Sequence, residues 1–366
     1  MVVILLYILI FIFILSSLSL LVYLLPASKA STHTLPFVTV IIAARNEEQN
    51  IKACIASLIQ QHYPSTHFEI WIGNDGSTDH TAQILQECMA EYTSHQIHVL
   101  NIEQNHATLK GKTKVLRDLF EFAKGELVCI VDADVQVNPL WISGYVQTFN
   151  NTSIAAASGV TDVQSQNRLS DFQKVEWQES FLLLRAATYF NQSVSAVGNN
   201  MCIRKSVYQA VGGYDAIGFS VTEDLALSQA IEHKGYKHIQ VFNAEHYAFT
   251  QPMLAWQEII VQRLRWMKGF THLPLPIMLL MSFLQTASLF LVLLFLFYPS
   301  LGFMMWLLFI SLRMLKISFY THRFKALPYK QIWNILFFDI YIVALGGIVL
   351  MKQFTPYAVR WKGRTY

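Results

Sequence analysis

The chain has 366 residues, room for one large domain or two small ones, and it is 53% hydrophobic but only 14% charged, a balance that points to membrane segments. A net charge of +3 is too small for a nucleic-acid binder. Four cysteines (Cys54, Cys88, Cys129, Cys202) show no C-x-x-C spacing, which argues for reduced thiols in a cytoplasmic-facing domain and against a disulfide framework or zinc site.

Residues 1–25 are expected to anchor the chain. Val2 to Leu25 is almost wholly apolar and uncharged, and at roughly 1.5 Å per residue it can cross a hydrocarbon core of ~30 Å. It lacks the basic start and short apolar core of a signal peptide, so an uncleaved anchor is expected. Lys29 and Arg45 follow it, which places the next domain in the cytoplasm.

Pro26 to Pro36 reads as a linker. Residues 37–250 then alternate strand and helix patterns. "FVTVIIAA" (Phe37–Ala44), "FEIWIG" (Phe68–Gly73), "IHVLNI" (Ile97–Ile102) and "ELVCIVDAD" (Glu126–Asp134) read as strands. Glu47–Gln61, Thr81–Tyr92 and Lys112–Ala123 read as helices. The order predicts an α/β fold, a mostly parallel sheet flanked by helices.

Residues 252–272 read as an amphipathic helix and residues 277–351 as a membrane region of two or three helices. Ile277–Phe297 is long enough to span, and Leu301–Leu312 follows as the second arm of a hairpin. Trp333–Met351 is interrupted by Asp339 and by Gly346–Gly347, and is expected to be re-entrant or to lie flat, which keeps the basic tail at residues 352–366 inside.

In an open α/β sheet, ligands gather at the carboxyl ends of the strands, and the polar clusters fall there. "AARNEE" (Ala43–Glu48) follows the first strand, "NDGSTD" (Asn74–Asp79) the second, and "DAD" (Asp132–Asp134) ends the fourth. "NDGSTD" is equally good turn and helix-capping chemistry. If Asp132 and Asp134 lie on a strand they share a face, and two carboxylates that close need a cation. Mg²⁺ or Mn²⁺, with open positions for a diphosphate, fits; a solvated turn is the alternative. The acidic pair in "FSVTEDLAL" (Phe219–Leu227) offers either a general base or the capped first turn of a helix behind Thr222.

On the helix after Pro252, Met253, Trp256, Ile260, Leu264 and Met267 form one apolar stripe at 100° per residue. Gln262, Arg265 and Trp266 fall on the opposite face. Arg263 and Lys268 sit at the stripe's edges, where they could reach phosphate head groups from a helix lying on the membrane.

These motifs resemble, in order, those of the membrane-bound inverting glycosyltransferases of family 2, which have a GT-A nucleotide-sugar domain. They are "ARNEE", "NDGSTD", a D-x-D as "DAD", an E-D pair as "TED", and Q-x-x-R-W as "QRLRW", and the likeness covers about Phe37 to Gly269. The resemblance implies that Ala43, Arg45 and Glu47 line the nucleoside pocket and that Asp75 contacts the base. It implies that Asp132 lies near the ribose or metal and that Asp134 holds the divalent ion. Asp224 would be the catalytic base, supported by Glu223, and Gln262, Arg265 and Trp266 would contact the diphosphate and the acceptor. "KGKTKVL" (Lys110–Leu116) resembles the family's basic loop, with Lys112 near an anion. "GNNMCIRK" (Gly198–Lys205) departs from the pattern, with Asn199 where a second glycine is common.

The resemblance implies a nucleotide-sugar donor, with a UDP-sugar expected, and an integral protein of the cell inner membrane. Processive polysaccharide synthases share these motifs but need enough helices to enclose a channel. A membrane lipid acceptor is the simpler expectation, and "VRWKGRTY" (Val359–Tyr366) resembles the endings of ceramide, hopanoid and carotenoid-type glycosyltransferases. A non-catalytic scaffold would not need Asp132, Asp134 and Asp224 together.

Overall fold

The computed structural model describes residues 2–20, 35–103, 108–189, 197–270, 272–273, 275–325, 332–354, 360–361 and 364–365. The end of the expected anchor, most of the linker and much of the tail lie outside these residues.

In chain order the elements are α1 (Val2–Leu18), β1 (Val38–Ala44), α2 (Ile51–Ile59), β2 (Phe68–Asn74), α3 (Thr81–Glu91), β3 (Gln96–Asn101), α4 (Gly111–Phe122), β4 (Leu127–Val131) and β5 (Val135–Val137). They continue with α5 (Trp141–Thr148), β6 (Ile154–Ser158), β7 (Val160–Val163), α6 (Arg168–Tyr189), β8 (Asn200–Arg204), α7 (Lys205–Ala210), α8 (Gly213–Ile217), α9 (Glu223–His233), β9 (Lys237–Gln240) and β10 (Tyr247–Thr250). Four long helices follow: α10 (Trp256–Phe270), α11 (Leu275–Phe297), α12 (Pro299–Phe324) and α13 (Phe338–Gln353).

The chain divides into two compact units, residues 27–162 with 187–251, and residues 1–26 with 163–186 and 252–366. The first holds a seven-stranded sheet in the order β3-β2-β1-β4-β8-β6-β9 and a smaller sheet in the order β5-β10-β7. β3, β2, β1 and β4 run parallel; β8 is antiparallel to both of its neighbours. Val38, Val40 and Ile42 enter one core and Ile41 the other. A central strand covered on both faces needs a continuous apolar run, which is how Phe37–Ala44 reads.

Among the described residues, two histidines are buried in this unit. His238 lies between Ser158, 3.0 Å from its Nε2, and Ser228; His246 Nε2 lies 3.0 Å from the Thr148 hydroxyl. Burial holds both down to about 4 from an ordinary 6.5. The unfolded chain therefore binds protons that the folded chain refuses. Stability is full above pH 6.5 and is lost as pH falls from 6.5 towards 4. The midpoint of thermal unfolding should fall through that window, and a His246→Asn variant should flatten the slope.

In the second unit, α6 packs with α10, α12 and α13. Ile259 and Leu264, with Met253, Ile260 and Met267, meet Val175, Leu169 and Phe172 of α6, Ile317 of α12, and Phe338, Tyr341 and Leu345 of α13. Of the apolar stripe expected to face lipid, Leu264 is buried and Met253, Ile260 and Met267 are half-buried against protein, while Trp256 stays exposed. Arg263 is corrected with it: it is buried and bound to Glu176, so it does not reach phosphate head groups from this position. A helical wheel finds an apolar face but cannot tell which neighbour covers it.

α13 runs unbroken through Gly346 and Gly347. The stretches Pro299–Phe324 and Trp333–Gln353 are each long and apolar enough to cross a membrane. Asp339, read as an interruption, is an internal partner: Arg313 Nη2 donates to its Oδ1 at 3.0 Å, as does the Ser288 hydroxyl at 2.8 Å. Lys316 pairs with Glu179 at 3.2 Å.

Candidate active site

The parallel strands β1, β2 and β3 end in register, with Ala44 beside Asn74 and Asn74 beside Asn101. Their polar loops therefore start from one edge of the sheet. Asp75 N–H donates to Ala44 O at 2.9 Å, and Arg45 Nη1 donates to Asp75 O at 2.5 Å and Gly76 O at 3.2 Å. Asn46 accepts from Thr78 N–H at 2.9 Å and gives its own N–H to Ser77 Oγ at 3.1 Å; Glu47 N–H donates to Thr81 Oγ1 at 2.7 Å. The "ARNEE" and "NDGSTD" loops are one cross-braced structure. Gly76 serves it with a φ of +61°, a conformation that L side chains rarely adopt.

The capping reading of "NDGSTD" is realised at Asp79. Asp79 Oδ1 accepts from Thr81 N–H at 3.0 Å and from its hydroxyl at 2.6 Å, which braces the start of α3. Asp75 is buried behind the loop. Ala43 packs partly against the core on one side of the sheet.

β4 stops at Val131, so Asp132 and Asp134 lie in the turn to β5 and do not share a strand face. Their surroundings differ. Lys112 Nζ, from the first turn of α4, lies 2.6 Å from Asp132 Oδ1 and 2.8 Å from Glu223 Oε1. Asp134 Oδ2 instead accepts from the Thr250 hydroxyl at 3.1 Å, on the last residue of β10. Burial by itself would lower the Lys112 pKa, but the charges of Asp132 and Glu223 outweigh it and hold the ammonium well above its usual range. Lys112 is a fixed cation joining the "DAD" turn to the "TED" pair.

α9 begins at Glu223 with Thr222 at the capping position, yet Thr222 makes no side-chain capping bond. The Asp224 carboxylate turns back instead: Oδ2 accepts from Gly198 N–H at 2.9 Å and Oδ1 from Leu225 N–H at 2.8 Å. Burial and the neighbouring Glu223 charge push its pKa up to about 6, against the opposing pull of Lys112 and those two N–H groups. A carboxylate poised there is basic enough to accept a proton while remaining mostly ionised at neutral pH.

Sequence reasoning passed over three residues. Gly198 lets backbone approach Asp224 closely: a Cβ there would lie 2.4 Å from Asp224 Cβ. Asn200 is a buried hub, accepting from Trp141 Nε1 at 2.7 Å and the Tyr145 hydroxyl at 2.8 Å and donating to His246 O at 2.9 Å. Thr250 holds Asp134. The "GNN" of "GNNMCIRK" was the available signal for the first two; Thr250 carried none.

Gln262, Arg265 and Trp266 lie on α10 in the other unit. Gln262 is buried and accepts from Arg263, whereas Trp266 is 37% exposed, with its ring 5.8 Å from that of Trp177.

The sequence matches the description "Glycosyl transferase family 21" over residues 2–366. The chain belongs to glycosyl transferase family 21. This family 21 chain is 27% identical over 203 residues to a beta-monoglucosyldiacylglycerol synthase of Nostoc sp., covering 53% of this chain and 41% of that enzyme. It is 27% identical over 249 residues to the probable glycosyltransferase YdaM of Bacillus subtilis, covering 67% and 58%. It is 24% identical over 194 residues to a poly-beta-1,6-N-acetyl-D-glucosamine synthase of Staphylococcus epidermidis, covering 52% and 44%. The matches thus span about half the length of these relatives. Among solved structures, a mannosyltransferase of Pyrobaculum calidifontis with GDP-Man and Mn²⁺ superposes with a TM-score of 0.62 at 16% identity, covering 95% of this chain and 99% of that one. The fold is that of a GT-A glycosyltransferase, as the motifs led one to expect.

Proposed function

We propose that this family 21 protein is an inverting glycosyltransferase that moves a sugar from a nucleotide-sugar, expected to be a UDP-sugar, to a hydroxyl of a membrane lipid at the cytoplasmic face of the cell inner membrane. The observation that carries the reading is the Asp224 carboxylate, raised to about 6 beside the Lys112–Asp132–Glu223 cluster. Such a group suits taking the proton of an acceptor hydroxyl as its oxygen attacks the anomeric carbon. The bond from that carbon to the diphosphate breaks in the same displacement, and configuration inverts. Ala43, Arg45, Glu47 and Asp75 are assigned to the nucleoside, Glu223 to support of the base, and Lys112 to the diphosphate. Gln262, Arg265 and Trp266 are assigned to the diphosphate and acceptor, where a planar guanidinium can bind phosphate through two bonds.

A divalent ion also fits. Among the described residues no group of three or more His, Cys, Asp and Glu could hold a metal ion alone. Mg²⁺ and Mn²⁺ in such sites take one or two carboxylates and draw their remaining oxygens from substrate phosphates. Asp134 and Asp132, both in the turn after β4, are the carboxylates assigned to it. The ion would neutralise charge on the departing diphosphate. The Mn²⁺ in the Pyrobaculum mannosyltransferase supports this.

The distribution of side chains on α12 supports the membrane assignment. Phe303, Met304, Leu307, Leu308, Leu315 and Phe319 are exposed, while Arg313 and Lys316 are buried. A water-soluble core helix would have the opposite arrangement, whereas a helix in lipid turns its charges inwards. The relationship to the Nostoc lipid enzyme favours a lipid acceptor, and that to the Staphylococcus enzyme keeps a polymer product in view.

The test incubates membranes containing the protein with radiolabelled UDP-glucose, UDP-galactose, UDP-N-acetylglucosamine and GDP-mannose, then separates lipid-extractable from polymeric label. Label in the lipid fraction is expected. A long polymer overturns the lipid acceptor, and no label above that of control membranes overturns the reading as a whole.

The rate should also titrate. Asp224 must be ionised, so kcat should fall as pH drops through about 6. Lys112 lowers that pKa, so Lys112→Met should move the acid limb to higher pH as well as weaken donor binding. A limb unmoved in Lys112→Met, or absent in the native protein, would remove Asp224 as the titrating group.

A further inference from the structure

The Q-x-x-R-W segment is gripped by a helix that none of the motifs includes. α6 leaves the strand pattern after β7 and belongs to the helical unit together with α10. Glu176 of α6 binds Arg263 through two parallel bonds, Nε to Oε1 at 2.8 Å and Nη2 to Oε2 at 2.5 Å. The Tyr341 hydroxyl of α13 donates to the same Oε2 at 3.1 Å. The third nitrogen of Arg263, Nη1, donates to Gln262 Oε1. The guanidinium lies over the Trp266 ring at 4.3 Å, and Trp177, next to Glu176, packs on the same ring. One turn earlier on α6, Gln173 brackets the approach to α10, donating to Met253 O at 2.8 Å and accepting from Met253 N–H at 3.1 Å.

We propose that Glu176 and Arg263 are positioning residues that fix Gln262 and Trp266 for sugar transfer. The inference rests on the assignment of Gln262 and Trp266 to the diphosphate and acceptor given above. Arg263 is itself outside the Q-x-x-R-W pattern, but its guanidinium spends one nitrogen on the motif's glutamine and its flat face on the motif's tryptophan. Two parallel bonds to Glu176 set the plane of that guanidinium. A lysine could supply the charge but neither the plane nor the fork.

This role can be separated from a structural one. Removing one partner leaves a buried charge unpaired, so single variants are expected to lose stability as well as activity. Replacing both by apolar residues of similar length removes that penalty, because a buried ion pair exchanged for hydrophobic side chains is often neutral. Glu176→Met/Arg263→Met should therefore keep the thermal midpoint of the native protein within a few degrees. Transfer of label to lipid should still fall by about 10- to 100-fold, since a small misplacement of contact groups costs that much. Affinity for the nucleoside diphosphate should weaken with it, because the displaced groups are assigned to the diphosphate, whereas affinity for the free nucleoside should not change, because the nucleoside residues are on the other unit.

The decisive arm is epistasis. In a Trp266→Ala/Gln262→Ala background, adding the methionine pair should cost little more, because the groups it positions are gone. If Trp266→Ala/Gln262→Ala transfers normally, the functional assignment of those residues fails and the inference falls with it. If that variant is impaired, the assignment stands. Normal transfer in the methionine pair, or a full additional loss in the combined variant, then overturns the positioning role alone.

Discussion

Asp224→Asn is expected to lower sugar transfer by roughly 10²–10⁴-fold, the range a positioned general base supplies, while nucleotide-sugar binding stays intact. Asparagine has nearly the same shape but only one acceptor oxygen, so it can keep one of the two backbone bonds, from Gly198 or Leu225, and must give up the other. That makes a modest structural cost beside the loss of a base. The residues assigned to the nucleoside, Arg45 and Asp75, are braced by their own loop and make no bond to Asp224 among those described. Titration calorimetry with the donor and an initial-rate assay with lipid separate the two effects. Unchanged transfer would sink the base assignment, and lost donor binding would move Asp224 from catalysis to substrate binding.

Gly198→Ala is the second large effect, and it arises from shape alone. The added methyl carbon would lie 2.4 Å from Asp224 Cβ and 2.8 Å from its Oδ2. Asp224 Cβ is fixed to the first turn of α9, so it cannot swing aside as a long side chain would. Either the start of α9 or the turn before β8 must move by several tenths of an ångström or more. Displacements near 1 Å at a reacting group cost about 10²-fold, so a drop in kcat of that order is expected with little change in donor affinity. If Gly198→Ala retains its rate, the close approach of this backbone is not needed for the base to work.

The strands and the placing of the polar loops at their ends were legible in the sequence. β1, β2, β3 and β4 follow their apolar runs to within a few residues, because period and strand-end chemistry are local signals. The acidic clusters fell at the strand ends for the same reason. What could not be read was pairing across long separations. Asp134 meets Thr250 and Asp224 meets Gly198 only because distant segments converge. The "DAD" pair was read as strand when β4 had already stopped, since a run of apolar residues does not mark its own last residue. Arg263 and Asp339 misled for one shared reason: a charge beside apolar residues looks like a lipid-surface contact or an interruption until its buried partner, Glu176 or Arg313, is known.

The pairing of Arg313 with Asp339 also bears on how the protein is made. α12 leaves the ribosome before α13, carrying Arg313 and Lys316 within an otherwise apolar stretch. In a bilayer each such charge costs roughly 2.5–3.5 kcal/mol at a helix centre. Lys316 pairs with Glu179 on a helix synthesised earlier, whereas the carboxylate that binds Arg313, Asp339, lies on a helix synthesised later. With α12 as the membrane helix proposed above, its pair with Asp339 is completed only once α13 has been made. Asp339→Ala should therefore lower the amount of protein recovered with membranes before it lowers the activity of each molecule.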